Sequence, residues 1–266
     1  MAKKSFFRPS TLPVFTLIAG GLGLVLRFIF LRTQVDNGGL LRSDSPLNAA
    51  LYILSACALA VIVACVLPLK AERRRSHRLF RRTVWPAFGC MFAGVGILLS
   101  TLSQILRQQD PLTLITMVAS FVAAACFALV GLARQKGSRP HYLAHAGIVV
   151  YLMLQLVCQY RVWSPEPQLT LYFFPLMALV FLMLTSYQAL CLDIGKGQRW
   201  LYTLFNQSAL FFCCISLLDS QRYFYLGMGI YCATNLCSMR RSHSRSRSHH
   251  ESADDAAEPT EGSTEE

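Results

Sequence analysis

The chain alternates long apolar runs with short polar ones. The apolar runs lie near 11–31, 47–69, 83–105, 111–133, 142–160, 168–192, 198–218 and 222–239. A helix needs about 20 apolar residues to cross a hydrocarbon core of about 30 Å, whereas a membrane β-strand needs about ten. The pattern therefore predicts an all-α, polytopic transmembrane bundle of about eight helices in one domain, residues 1–239. The last run is the shortest and the least secure.

Composition supports this prediction. Hydrophobic residues make up 54% of the 266 residues and charged residues 15%, whereas a soluble domain carries about 25% charge. The formal net charge is +11. Because the cytoplasmic loops of membrane proteins collect Lys and Arg, this charge does not imply a nucleic-acid partner. The lipid bilayer is the partner that the sequence indicates.

The distribution of basic residues predicts the orientation. Nineteen of the 25 Lys and Arg lie in the N-terminal segment, the second, fourth and sixth loops, and the C-terminal segment, all on one side of an eight-helix chain. The positive-inside rule then places both termini in the cytoplasm. A prokaryotic cytoplasmic membrane is the simplest location, although the sequence leaves a eukaryotic organelle open.

The second loop is the most basic segment of the chain. It contains Lys70, Arg73, Arg74, Arg75, Arg78, Arg81 and Arg82. Each such charge near a membrane surface attracts anionic lipid by about 1 kcal/mol. The loop is therefore interpreted as a topology anchor that contacts anionic lipid headgroups, with binding of a specific partner as the alternative.

Both ends of the chain carry an open alternative. The start, 1–21, has the basic and apolar parts of a signal peptide, and its removal would leave seven helices. However, the apolar run is long enough to span a membrane. The tail, 240–266, is basic and then acidic, with no large apolar residue, so it is predicted to be disordered and cytoplasmic.

The fifth apolar run carries the clearest polar stripe. At 100° per residue, a narrow arc of its helix contains His141, His145, Tyr151, Gln155 and Gln159. Such a stripe avoids lipid and faces the bundle interior. Its members either hold neighbouring helices together by hydrogen bonds or, for the last four, line a substrate path or cavity.

A metal site or an active site has weaker support. His141 and His145 have the i, i+4 spacing of two metal ligands on a helix, but the stretch "HYLAH" lacks the Glu of the metalloprotease motif. A third ligand would have to come from His77 or Asp193. No cofactor motif is present, so an enzyme using the two histidines at the interface is a minor alternative.

Ionisable groups are scarce in the predicted helices. None contains Asp, Glu or Lys, since Asp193 and Asp219 fall just beyond helix ends. Arg27 lies near the end of the first helix and is expected to snorkel outward. Asp219 lies close to Arg222 in the sequence. This scarcity argues against proton-driven transport, which relies on membrane carboxylates.

Small residues and proline suggest how the helices pack. The spacing of Ala56, Ala60 and Ala64, and of Gly89 and Ala93, predicts close helix contacts. Pro175 is expected to kink the sixth helix. The ten cysteines all lie in apolar runs and form no disulfide pattern, so they are expected to be free and buried.

These observations favour a non-catalytic membrane component: a subunit, scaffold or regulator, with another membrane subunit as its possible partner. The alternative is a carrier or permease-like protein for a small neutral or amphipathic substrate, with the fifth helix lining the path. The sequence cannot separate them, because a helical bundle serves many functions.

Overall fold

A computed structural model describes residues 12–33, 46–67, 84–106, 111–136, 142–163 and 172–239. These ranges form eight α-helices and no strand, which confirms the predicted all-α bundle. The helices are α1 (Leu12–Thr33), α2 (Pro46–Val66), α3 (Trp85–Ile105), α4 (Pro111–Lys136), α5 (Tyr142–Trp163), α6 (Phe173–Ile194), α7 (Arg199–Ile215) and α8 (Arg222–Ser238). A 3₁₀ turn, Ser216–Leu218, extends α7.

Seven of these helices, α1 to α7, are long and apolar enough to cross a membrane when α7 is counted with its 3₁₀ extension to Leu218. The chain is therefore an integral membrane protein. The exception is α8, whose 17 residues span about 25 Å at 1.5 Å per residue. It is nevertheless well buried, because it packs along α3 in the most extensive helix contact of the described structure.

Six helices form a closed ring in chain order. Each of α3 to α8 packs against the next, and α8 returns to α3. The hairpin of α1 and α2 lies outside this ring, where both of its helices contact α7. Of the seven long helices, α7 is consequently the most buried. Successive helices run antiparallel, so the N-termini of α3, α5 and α7 share one end, here called the inner end.

Glycine allows the ring to close. A Cβ placed on Gly96 of α3 would lie 2.7 Å from the carbonyl oxygen of Tyr223, and one on Gly227 of α8 would lie 2.8 Å from that of Phe92. Gly89 faces α8 too, where an added Cβ would collide with Thr234. The backbones approach closely because these residues have no side chain, as the spacing of Gly89 and Ala93 predicts.

The prediction for α2 is wrong. Ala56, Ala60 and Ala64 are all exposed on its outer face. The face that packs against α1 and α7 instead carries Leu51, Ser55, Ala58, Ile62 and Val66. Larger side chains fill this contact, because α2 packs at the edge of the bundle and its backbone does not approach another helix closely. The hydroxyl of Ser55 is satisfied within α2, donating to the carbonyl of Leu51 at 2.8 Å.

The predicted kink in the sixth helix is also wrong. Its helix begins at Phe173, five residues later than the apolar run, so Pro175 lies in the first turn. Backbone N–H groups in a first turn have no partner inside the helix, and proline there removes no hydrogen bond. All ten cysteines are free, but only Cys90, Cys213 and Cys232 are buried; Cys57 and Cys237 are exposed and the other five are half-buried.

Candidate functional site: two buried polar clusters

The stripe of α5 points into the bundle for most of its length. His145, Tyr151 and Gln155 are buried, and Gln159 is half-buried. The three buried groups meet different partners. His145 lies against Asp193 of α6, Tyr151 lies 3.5 Å from the hydroxyl of Ser120 on α4, and Gln155 donates to Gln221 before α8 at 3.1 Å. The stripe therefore runs along α5 away from the inner end, and its buried members contact separate partners rather than one another.

Side chains also cross the interior between helices that are not neighbours in the ring. Besides Gln155 and Gln221, the ring of Phe127 on α4 meets Tyr231 on α8 edge to face, with centroids 5.3 Å apart. Near the inner end, the guanidinium of Arg134 on α4 donates to the side-chain oxygen of Asn235 on α8. The interior is thus lined by polar and aromatic groups from opposite walls.

One group of residues at the inner end is called the inner cluster. It comprises Arg134, His145, Asp193, Tyr202, Asn206, Tyr231 and Asn235, contributed by five successive helices, α4 to α8. Arg134 lies within electrostatic reach of Asp193, Tyr202 and Tyr231. Tyr202, Asn206 and Asn235 are essentially inaccessible to solvent. Ionisable groups within a membrane are costly, so this convergence makes the inner cluster a candidate site.

The pair of His145 and Asp193 is close but poorly aligned. Nδ1 of His145 lies 2.8 Å from Oδ2 of Asp193, yet neither atom completes a hydrogen bond of good geometry among the described residues. The expectation that Asp193 falls beyond the sixth helix is wrong, because α6 continues to Ile194. The scarcity of membrane carboxylates is therefore a weaker argument against proton coupling than the sequence indicated.

The end of α6 fixes the position of Asp193. Gly195 adopts φ of 87°, the left-handed conformation that ends helices. The N–H groups of Lys196 and Gly197 then donate to the carbonyl of Cys191 at 2.9 and 2.8 Å. This cap holds Asp193 in the last turn, where a carboxylate opposes the helix dipole. Its retention there points to a role in contacting His145 and Arg134.

Some buried polar atoms of the inner cluster have spare hydrogen-bonding capacity. Nε2 of His145 and Oδ1 of Asn206 have no partner among the described residues. The amide nitrogen of Asn206 does donate, to the carbonyl of Cys232 at 3.3 Å. Buried polar groups are normally hydrogen-bonded. Oδ1 of Asn206 can therefore accept one more bond, and Nε2 of His145 can form one more.

A second group, the outer cluster, lies at the opposite end and comprises Arg27, Tyr52, Phe174, Asp219 and Tyr225. Arg27 is 3% exposed and its Nη2 lies 2.8 Å from Oδ1 of Asp219. Its guanidinium also lies over the ring of Phe174, 5.3 Å from the centroid. The expectation that Arg27 snorkels outward is therefore wrong, because Asp219 supplies a partner inside the protein.

The carboxylate of Asp219 pairs with Arg27 rather than with Arg222, its neighbour in the sequence. Arg222 instead places its guanidinium over the ring of Tyr223, 5.0 Å from the centroid. The tight turn between α7 and α8 aims Asp219 at α1. Because Asp219 is the only carboxylate besides Asp193 in the described ranges, each cluster holds one acid and at least one base.

Burial sets the titration of Asp219. It raises the pKa of this carboxyl to about 6, against the attraction of Arg27, which lowers it. We expect infrared spectra to show a protonated carboxyl band that appears on acidification with a midpoint near pH 6. The band should be absent from Asp219→Asn and should titrate at higher pH in Arg27→Met. A carboxyl that titrates unchanged in Asp219→Asn would contradict the assignment.

Several predicted features lie outside the described residues. They are His141, the basic loop 70–82 and the tail 240–266. The proposed metal site gains one contact, since His145 and Asp193 meet, but the described residues contain no group of three possible ligands. The lipid-contact residues and the metal ligand His141 thus remain predictions.

Comparisons with protein-family models, curated proteins and solved structures find no match. Function is therefore argued from the geometry of the two clusters.

Proposed function

We propose that this integral membrane protein is a carrier or permease-like protein that binds a small polar or amphipathic molecule inside its helical ring. One observation carries the proposal: five successive helices each place a buried or half-buried polar side chain in the inner cluster. A scaffold needs only enough polar contacts to hold pairs of helices together. Gathering Arg134, His145 and Asp193 at one place is costly in a membrane and is kept for a purpose.

The path proposed for the molecule follows the stripe of α5. Starting from His145, it passes Tyr151 and then Gln155. Residues 145 and 155 are about 15 Å apart along a helix axis, which is about half of the hydrocarbon thickness. Gln155 meets Gln221 from the opposite wall, so these two side chains would have to separate for a substrate to pass.

The orientation is part of the proposal. The inner end carries the basic loops, so we place it and both termini in the cytoplasm of a prokaryotic cell. Lys196 in the loop after α6 and Ser220 in the turn after the 3₁₀ helix are both exposed. We expect an impermeant maleimide to label Ser220→Cys in intact cells but Lys196→Cys only after lysis, above the background of the wild type. The reverse pattern would invert the orientation.

A subunit of a larger complex is the second candidate. The exposed face of α2 carries the small residues Ala56, Ala60 and Ala64, which would let a helix of another protein approach closely. Native mass spectrometry of the protein, gently extracted from its own membrane, separates the candidates. A retained small molecule supports the carrier. A second polypeptide at fixed stoichiometry, with no small molecule, supports the subunit.

Once that molecule is known, Gln155 tests the path. We expect Gln155→Leu to reduce its uptake into vesicles at least tenfold while the protein stays folded, because a leucine removes the polar contact on the path. Gln221→Leu breaks the same hydrogen bond from the other side and serves as the comparison. If both variants lose uptake only in proportion to lost thermal stability, the bond is structural and the path is wrong.

A further inference from the structure

We infer that the inner cluster binds the carboxylate group of a small amphipathic molecule, which takes the place of the Asp193 carboxylate beside Arg134 and His145. This inference rests on the proposed function and names its substrate class. In the structure, the carboxylate of Asp193 occupies the position beside His145 that the carboxylate of the ligand would take.

The donors suit a carboxylate. Arg134 and His145 come from different helices. His145 lies 2.8 Å from Asp193, and Arg134 lies within electrostatic reach of the same acid. A guanidinium presents N–H groups in a planar fork that matches the two oxygens of a carboxylate. An imidazole N–H can also donate to a carboxylate oxygen. With Nδ1 facing Asp193, Nε2 is buried without a partner among the described residues and can bind a second ligand oxygen.

The internal carboxylate is weakly held. Its contact with His145 is short but poorly oriented, and its side chain is 19% exposed although His145 is fully buried. It also lies in the last turn of α6, against the helix dipole. Each of these features lowers the cost of moving Asp193 aside, so an external carboxylate can compete with it.

The neighbouring surface suits an apolar tail. Beside Asp193, the side chains of Ala189, Leu192 and Tyr202 form a small buried apolar cluster. Further inside, Phe127 and Tyr231 meet across the ring. A ligand whose carboxylate binds Arg134 would therefore bring its apolar part against aliphatic and aromatic groups. This arrangement is the usual one for a binding site: mostly apolar, with a few convergent polar groups.

The test replaces the internal carboxylate with an external one. The full chain is purified in detergent, and its unfolding temperature is followed in sodium acetate, in acetamide and in sodium chloride at equal concentration. Asp193→Ala makes room beside Arg134 and His145, whereas Asp193→Asn fills that room without charge. We expect acetate, and not acetamide, to stabilise Asp193→Ala saturably. It should also stabilise the wild type, with an apparent Kd at least tenfold higher, and leave Asp193→Asn unchanged.

Adding Arg134→Gln to Asp193→Ala should remove the effect of acetate. If Asp193→Ala does not fold, the wild type decides, since its response to acetate must then disappear in Arg134→Gln. The inference is wrong if acetate acts no better than acetamide. It is also wrong if acetate rescues Asp193→Ala while the wild type shows no saturable response, because Asp193 is then a permanent structural partner.

Failure of this inference differs from failure of the proposed function. A neutral molecule retained by the wild type in native mass spectrometry, together with no response to acetate, would keep the carrier and remove the carboxylate. A polypeptide partner without a small molecule would remove the carrier itself.

Discussion

Replacing Gly227 with alanine is expected to destabilise the protein by up to about 2 kcal/mol, although alanine normally favours a helix. The new Cβ would lie 2.8 Å from the backbone oxygen of Phe92 and 3.1 Å from the Cα of Gly96. Backbone atoms cannot rotate away, so α3 and α8 must move apart. Overpacking costs about 1–3 kcal/mol, and the gain in helix propensity of about 1 kcal/mol offsets part of this cost.

Gly229 provides a matched control. It lies two residues further along α8, and an added Cβ would find only the Cβ of Cys213, at an ordinary 3.7 Å. Gly229→Ala should therefore be neutral or slightly stabilising. Thermal unfolding of both variants in the same detergent makes the comparison. Equal stability of Gly227→Ala and Gly229→Ala would show that the close crossing of α3 and α8 does not hold the ring shut.

The second large effect concerns the α1–α2 hairpin. Gly20→Ala should detach α1 from α7 while leaving the six-helix ring intact. A Cβ on Gly20 would lie 2.8 Å from the Cβ of Cys214 and 3.6 Å from the oxygen of Phe211. The hydrogen bond that Thr16 makes with Gln207 of α7, at 2.6 Å, lies one turn away and would break with the contact. We expect faster hydrogen exchange in peptides from α1 and α2 only.

Gly21→Ala is the control for this second prediction, because nothing lies within 4 Å of a Cβ at that position. Its exchange should match the wild type. Faster hydrogen exchange throughout α3 to α8 in Gly20→Ala would contradict this prediction, because the hairpin and the ring would then unfold as one unit.

The helices could be predicted from the sequence because the membrane makes a local demand. Every spanning segment must be long and apolar whatever its neighbours are. The same demand predicts that polar side chains avoid lipid, and three of the four candidate lining residues of α5 are indeed buried. Predicting these features required no knowledge of which helices contact one another.

Contacts between distant segments could not be predicted in this way. Arg27 and Asp219 are 192 positions apart, and no local pattern marks them as a pair. Arg134 and Asn235 lie near helix ends, where polar residues are expected of any membrane protein, so the sequence offered no reason to select them. Small residues at four-residue spacing indicate a close contact in α3, where Gly89 faces α8, but not in α2, because spacing alone does not tell which face meets a protein.

The closure of the ring by α3 and α8 has a consequence for biosynthesis. A ribosome releases α3 well before α8, so the glycine face of α3 must wait in the membrane for a partner that emerges more than 100 residues later. That partner, α8, is as short as α7 without its 3₁₀ extension, and the other six described helices are longer. The stability of α8 in the bilayer therefore depends on its packing against α3. A chain that ends before α8 would leave the ring open, with the glycine face of α3 exposed to lipid and the incomplete protein accessible to quality-control proteases.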